Sequence, residues 1–148
     1  MTCIRTTSEH TDFKTLVTLL DTELAQRDGD EHAFYHQFNS IDALQQCVVL
    51  YEDSKAVGCG ALKSYDTTSA EVKRMYVMDS ERGKGLATQV LFTLEVWAKE
   101  LGTKRCILET GIRQPEAIAL YEKNGYVKIP NYGQYIGIEN SVCFEKLL

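Results

Sequence analysis

Only two prolines occur in 148 residues, and neither repeats nor low-complexity stretches interrupt the chain. Nothing divides it, so a single domain over residues 1–148 is expected, long enough to bury about 70% of its unfolded surface. No apolar run approaches the ~20 residues that a membrane span needs. The opening Met1-Thr2-Cys3-Ile4-Arg5 has no apolar signal core, so a cytoplasmic protein is expected rather than a secreted or inserted one. The five cysteines (3, 47, 59, 106 and 143) are odd in number and form no Cys-x-x-Cys pair. That argues against disulfides and zinc and suits reduced core thiols. Positive charge is also scarce, with 16 Lys and Arg against 21 Asp and Glu for a net charge of −5, a poor composition for binding nucleic acid. The deficit is uneven: eleven acids face five bases through residue 70, and ten face eleven beyond it.

What is present is ordinary globular material, 44% hydrophobic and 25% charged, with clear periodicity. Phe13, Leu16, Val17, Leu20 and Leu24 recur at helical spacing after Ser8 or Thr11 as a cap and stop at Gly29, predicting a first helix; a shorter one is expected over 31–38. Residues 47–51 and 56–64 flank a turn at Glu52-Asp53-Ser54 and read as a hairpin, and 71–78 as the next strand. Leu86, Val90, Leu91, Leu94, Trp97, Ala98 and Leu101 mark one face of a helix closed by Gly102. A strand over 104–110, a helix over 115–124 and a last strand over 141–147 complete an α/β sandwich with a mixed sheet.

The most informative stretch is Val77-Met78-Asp79-Ser80-Glu81-Arg82-Gly83-Lys84-Gly85-Leu86-Ala87. A strand empties through two glycines and two cations into a helix N-terminus, where free N–H groups and the positive end of the helix dipole meet whatever sits there. A phosphate ligand is the first expectation. A nucleoside triphosphate loop would need Ser or Thr directly after Gly-Lys, where Gly85 stands, so that reading fails. A dinucleotide fingerprint needs Gly or Ala where Thr88 stands; Glu109 imitates its ribose-binding acid, so this alternative is weakened and stays open.

Arg82-x-x-Gly85-x-Ala87 resembles the pyrophosphate loop of the GNAT acyl-CoA N-acetyltransferases, whose pattern is Gln/Arg-x-x-Gly-x-Gly/Ala. Ala117-Ile118-Ala119-Leu120-Tyr121-Glu122-Lys123-Asn124-Gly125-Tyr126 resembles the later motif of that superfamily. The likeness covers about residues 71–126, and Leu108-Glu109-Thr110-Gly111 with the segments at 130–133 and 141–144 is similar to a bacterial subgroup acting on small molecules. It implies a GNAT fold, with a mixed, mostly antiparallel central sheet splayed near its middle and flanked by helices. It implies acetyl-CoA as co-substrate with no metal, and a primary amine as acceptor, either a small molecule or an amino acid. Homodimers are common in the superfamily.

By the same resemblance, Met75, Tyr76 and Val77 hold the pantetheine and thioester through backbone groups, and Arg82, Gly83, Lys84, Gly85, Leu86, Ala87 and Thr88 hold the pyrophosphate. Gln114 stands where the family has a cofactor-binding Asn, one methylene shorter. Tyr121 matches the general acid that meets the departing sulfur. A phenol near pKa 10 is a weaker acid than a thiol near 8.5, so full transfer is uphill by about 2 kcal/mol and a hydrogen bond is the expected role. Glu71 matches the position from which a carboxylate draws the amine proton through water; a solvated strand-edge glutamate is the other reading. Tyr35 and Glu109 are candidates for the acceptor side, with Phe38, Tyr132 and Tyr135, each of which also suits a core or an interface. Arg74 or Arg113 would suit a substrate carboxylate. His32 and His36, four apart, read as a surface helix pair without a third metal ligand.

Three other classes compete with a small-molecule acetyltransferase. They are an acyl-CoA-binding sensor with no use for Tyr121, a dinucleotide-binding protein, and an enzyme acetylating a protein or peptide.

Overall fold

The computed structural model describes residues 1–28 and 43–148. The expected helix over 31–38, and with it Tyr35, Phe38, His32 and His36, lies outside the described residues.

Seven strands form one sheet, β1 (Thr2–Thr6), β2 (Gln46–Glu52), β3 (Lys55–Ser64), β4 (Ser69–Val77), β5 (Arg105–Gly111), β6 (Val127–Ile129) and β7 (Ser141–Leu147), in the order β1-β2-β3-β4-β5-β7-β6. Among the described residues only the central β4–β5 pair is parallel. Helix α1 (Thr11–Asp28) packs on one face through Phe13, Leu16 and Val17, against Cys47, Val49, Cys59 and Ala61. Helices α2 (Leu86–Glu100) and α3 (Pro115–Lys123) cover the other face, where Val90, Leu91, Leu94 and Tyr121 meet Val48, Val72, Cys106, Leu108 and Phe144. Strand alternation sorts the two cores, because successive side chains point to opposite faces.

Two backbone features open the middle of this sheet. Strands β4 and β5 pair only at Ser69, Ala70 and Glu71, opposite Arg105, Cys106 and Ile107. Beyond Glu71 they part, β4 staying with β3 and β5 with β7. The second feature is a bulge in β4. Its register against β3 slips between Cys59 and Ala61, and Arg74 adopts a left-handed φ of 60°, a conformation costing a non-glycine residue about 1–3 kcal/mol. The slip reverses the alternation. Val72 faces α2 before it, and Met75 and Val77 face α2 after it. Gly60 makes the fit possible, since a Cβ there would meet Met75 Sδ at 2.7 Å and Leu94 Cδ1 at 2.8 Å.

Several details differ from the sequence reading. The residue capping α1 is His10, whose Nδ1 accepts the Asp12 N–H at 3.2 Å; Ser8 instead ties the chain to Leu44, accepting its N–H at 3.0 Å. Leu101 is exposed and Trp97 only half-buried, whereas Glu95 occupies the buried stripe of α2. It is tolerated there because Tyr126 Oη and Lys146 Nζ donate to it at 2.8 and 2.9 Å. The short strands β1 and β6 were not foreseen. All five cysteines are free thiols.

Candidate active site

The gap between β4 and β5 is lined by two cavities that meet at Leu20, Met75, Gln114, Ala117 and Tyr121. The larger, about 440 Å³, runs from Met75, Tyr76 and Val77 past Arg82, Gly83, Gly85, Leu86, Ala87 and Thr88, between α2 and α3. The smaller, about 110 Å³, is bounded by Glu71, Lys73, Arg74, Glu109, Thr110 and Tyr135. The larger is mostly apolar; the smaller is lined by several charged side chains.

The larger cavity has the attributes of a phosphate-binding groove. Gly83 and Gly85 adopt φ of 84° and 78°, and a Cβ on either would meet nothing within 4 Å. Gly85 caps α2 without a side-chain hydrogen bond, and the first helical bond runs from Gln89 N–H to Gly85 O at 3.2 Å. The N–H groups of Leu86, Ala87 and Thr88 therefore face the groove with the helix dipole behind them. Both cations of the loop are paired. Arg82 donates through Nε to Val77 O at 3.0 Å and through a terminal nitrogen to Glu23 at 2.7 Å, while Lys84 pairs with Glu81 at 2.8 Å. Arg82 thus clamps the loop to β4 and α1. On the far wall, Arg27 of α1 reaches Glu116 of α3 at 2.9 Å.

Beside Met75, Tyr76 and Val77 the edge of β4 that faces β5 has no ladder partner in β5. Those backbone groups are available to a ligand entering between the strands.

Tyr121 stands where the cavities meet, 6% exposed, packed edge-on to Tyr126 at 5.7 Å and tilted against Phe144 at 6.3 Å. Burial first, and the charge of Glu109 second, push its phenol above the usual tyrosine range. It stays protonated throughout the working range of pH, so its hydroxyl keeps a proton to donate.

Glu71 is buried, 6% exposed, which removes the solvated strand-edge reading. Its Oε2 accepts the Tyr132 hydroxyl at 2.6 Å, and Lys73 Nζ lies 3.8 Å from its Oε1. Tyr132 in turn packs edge-on to Tyr65 and Tyr135, at 5.2 and 5.8 Å between ring centroids. Glu109 and Tyr135 line the same cavity, whereas Arg113 is exposed and is not among the residues lining it. Arg74 is buried and directed at Asp21 of α1, 3.4 Å away. Gln114 borders both cavities at the N-terminus of α3. Among the described residues no three His, Cys, Asp or Glu side chains converge as metal ligands.

Three participants were missed in the sequence. Lys73 carries the clearest signal, since two residues apart on a strand means one face, and it therefore joins Glu71. Glu23 and Arg27 gave no signal beyond their place on α1.

Residues 13–126 match the family model of the Acetyltransferase (GNAT) family. An IAA acetyltransferase of Azospirillum brasilense is 36% identical over 103 residues, covering 68% of this chain and 67% of that protein. An uncharacterized N-acetyltransferase of Escherichia coli (strain K12) is 40% identical over 84 residues, 55% of this chain and 50% of its own length. Among solved structures, a Klebsiella pneumoniae protein ascribed to the acyl-CoA N-acyltransferases superposes with a TM-score of 0.83 at 28% identity, over 99% of this chain and 97% of that one. A GNAT family acetyltransferase from Elizabethkingia anophelis, with acetyl-CoA bound, shares the fold with a TM-score of 0.70 at 18% identity, over 99% and 97%. The chain belongs to the GNAT family and is an acetyl-CoA-dependent N-acetyltransferase.

Proposed function

We propose that this enzyme passes the acetyl group of acetyl-CoA directly to the primary amine of a small acceptor while both substrates are bound. The observation that carries the reading is the meeting of the two cavities at Met75 and Tyr121, one side fitted to a long phosphorylated thioester and the other charged and about 110 Å³. In this account the pyrophosphate lies against the N–H groups at Gly83, Gly85, Leu86, Ala87 and Thr88. The pantetheine follows β4 through the split, and its thioester carbonyl takes an N–H near Met75, Tyr76 or Val77. A donor aimed at the developing oxyanion is worth about 3–4 kcal/mol in sites of this kind.

The acceptor amine enters from the side of Glu71 and Glu109. It must be neutral to attack. A lysine-type amine near pKa 10.4 is poorer in neutral form than an α-amine near 8 by about 2.4 units, roughly 3.3 kcal/mol. Glu71, fixed by Tyr132, draws that proton through water, and Tyr121 donates a hydrogen bond to the sulfur as it leaves. Tyr121 does not need to surrender its proton, which burial makes still costlier. The small volume of the charged cavity, about 110 Å³, favours a small amine or amino acid over a protein. A CoA-release assay across amino acids, polyamines, aminoglycosides and peptides tests this: small amines should be the faster acceptors, and peptides outrunning every small amine at matched concentration would overturn it.

A further inference from the structure

Lys73 is an amine already inside the acceptor cavity. It lies on β4 two residues from Glu71 and two from Met75, and it lines the same small space as Tyr121. Its side chain is only 9% exposed, and its Nζ is 3.8 Å from Glu71 Oε1. That is the arrangement an acceptor amine would need at the moment its proton is drawn off. The bulge at Arg74 turns the Met75 side chain to the face opposite Lys73, but both residues border the same cavity at the open edge of β4, and the four-carbon Lys73 side chain reaches the split along that edge.

From this placement we propose that, when acetyl-CoA is bound and no acceptor is present, the enzyme acetylates its own Lys73. The inference rests on the acetyl-transfer reading above. The ammonium proton passes toward Glu71, and the neutral nitrogen attacks the thioester carbonyl. A C–N bond forms, the C–S bond breaks, and CoA leaves as the thiol carrying the second proton that the nitrogen gives up. The product is an acetyl-lysine and free CoA, with no further reactant required. An amide in so small a cavity occupies the acceptor's place, so the modified chain turns over added amine more slowly.

The surroundings support the nucleophile. Among the described residues, Glu71 beside it, Arg74 next to it, Lys63 on β3 and Glu109 on β5 act on Lys73. Burial outweighs the attraction of Glu71 and, with the repulsion of Lys63 and Arg74, holds the amine below the usual lysine value. Its neutral fraction is raised accordingly.

The test is intact mass and peptide mapping after incubation with acetyl-CoA alone, with acetyl-CoA binding followed in parallel by thermal shift. An acetyl group on the Lys73 peptide is expected in the native chain, absent in Lys73→Arg and strongly reduced in Gly85→Glu, which spoils the cofactor cradle. The rate should rise with pH by up to about tenfold per unit and level off below ~10.4, the ordinary lysine value. A melting shift with no adduct on Lys73 overturns the self-acetylation and leaves the enzyme reading standing. Equal labelling of the exposed Lys14, Lys55 and Lys104, unchanged in Gly85→Glu, also overturns it, as chemical acylation. Absence of any acetyl-CoA binding overturns both together.

Discussion

Tyr132 and Glu71 lie 61 residues apart in the chain, yet the Tyr132 hydroxyl donates to Glu71 Oε2 at 2.6 Å, with Glu71 buried and Tyr132 half-buried. The contact fixes one carboxylate oxygen and leaves the other toward Lys73 and the cavity. Tyr132 is thereby placed to orient Glu71. Tyr132→Phe keeps the ring packed against Tyr65 and Tyr135 and removes the donor. We expect kcat to fall roughly ten- to a hundredfold, consistent with about 1.5–3 kcal/mol for a hydrogen bond to a charged group. The KM for acetyl-CoA should hardly move. Steady-state kinetics of Glu71→Gln, Tyr132→Phe and the double variant check this, because losses that simply add would show two independent roles.

Tyr121→Phe likewise keeps the contacts with Tyr126 and Phe144. Losing the donor to the departing sulfur should lower kcat roughly ten- to a hundredfold while acetyl-CoA affinity stays nearly unaltered. Normal turnover with lost binding would make Tyr121 a structural tyrosine.

Gly85 separates backbone conformation from charge. At φ 78° any side chain is strained, so Gly85→Ala and Gly85→Glu should both lower the melting temperature of the free enzyme. Only the glutamate also sets a negative charge at the helix N-terminus, where the pyrophosphate is proposed to lie. Acetyl-CoA should therefore still raise the melting temperature of Gly85→Ala, and the rise should be abolished in Gly85→Glu. An undiminished shift in a folded Gly85→Glu would move the phosphates elsewhere.

Buried thiols make the fold sensitive to alkali. Burial pushes Cys47 up to about 12 and Cys106 and Cys143 up to about 11. A raised value in the folded chain means that the unfolded chain loses these protons first. Their contribution is thus complete below about pH 8.5, the ordinary thiol value, and is lost as pH rises toward 11–12. Melting temperature should be level from pH 6 to 8 and fall beyond 9. A flat profile to pH 10 would contradict it.

The loop at Arg82 to Ala87 and the helix ending at Gly125 were legible because their signals are local: glycines at left-handed positions, a cap, and apolar spacing along one helix. Glu71, Gln114 and Tyr121 were legible only through the likeness to a family, since nothing in their own neighbourhoods marks where the sheet splits. The Tyr132 contact depends on a loop folding back onto β4, and no periodicity reports that. Glu95 shows a different limit. A charged residue in an apolar stripe reads as an interruption until Tyr126 and Lys146, from other elements, are seen to satisfy it. Lys73 was readable from alternation alone.

Direct transfer in the split between β4 and β5 is the center of this account, and two-substrate kinetics test it most directly. With acetyl-CoA and a small amine acceptor varied together, double-reciprocal plots should intersect, because both substrates occupy the joined cavities at once. Parallel lines, with acetyl transferred from a kinetically competent acetylated enzyme to the amine, would contradict it.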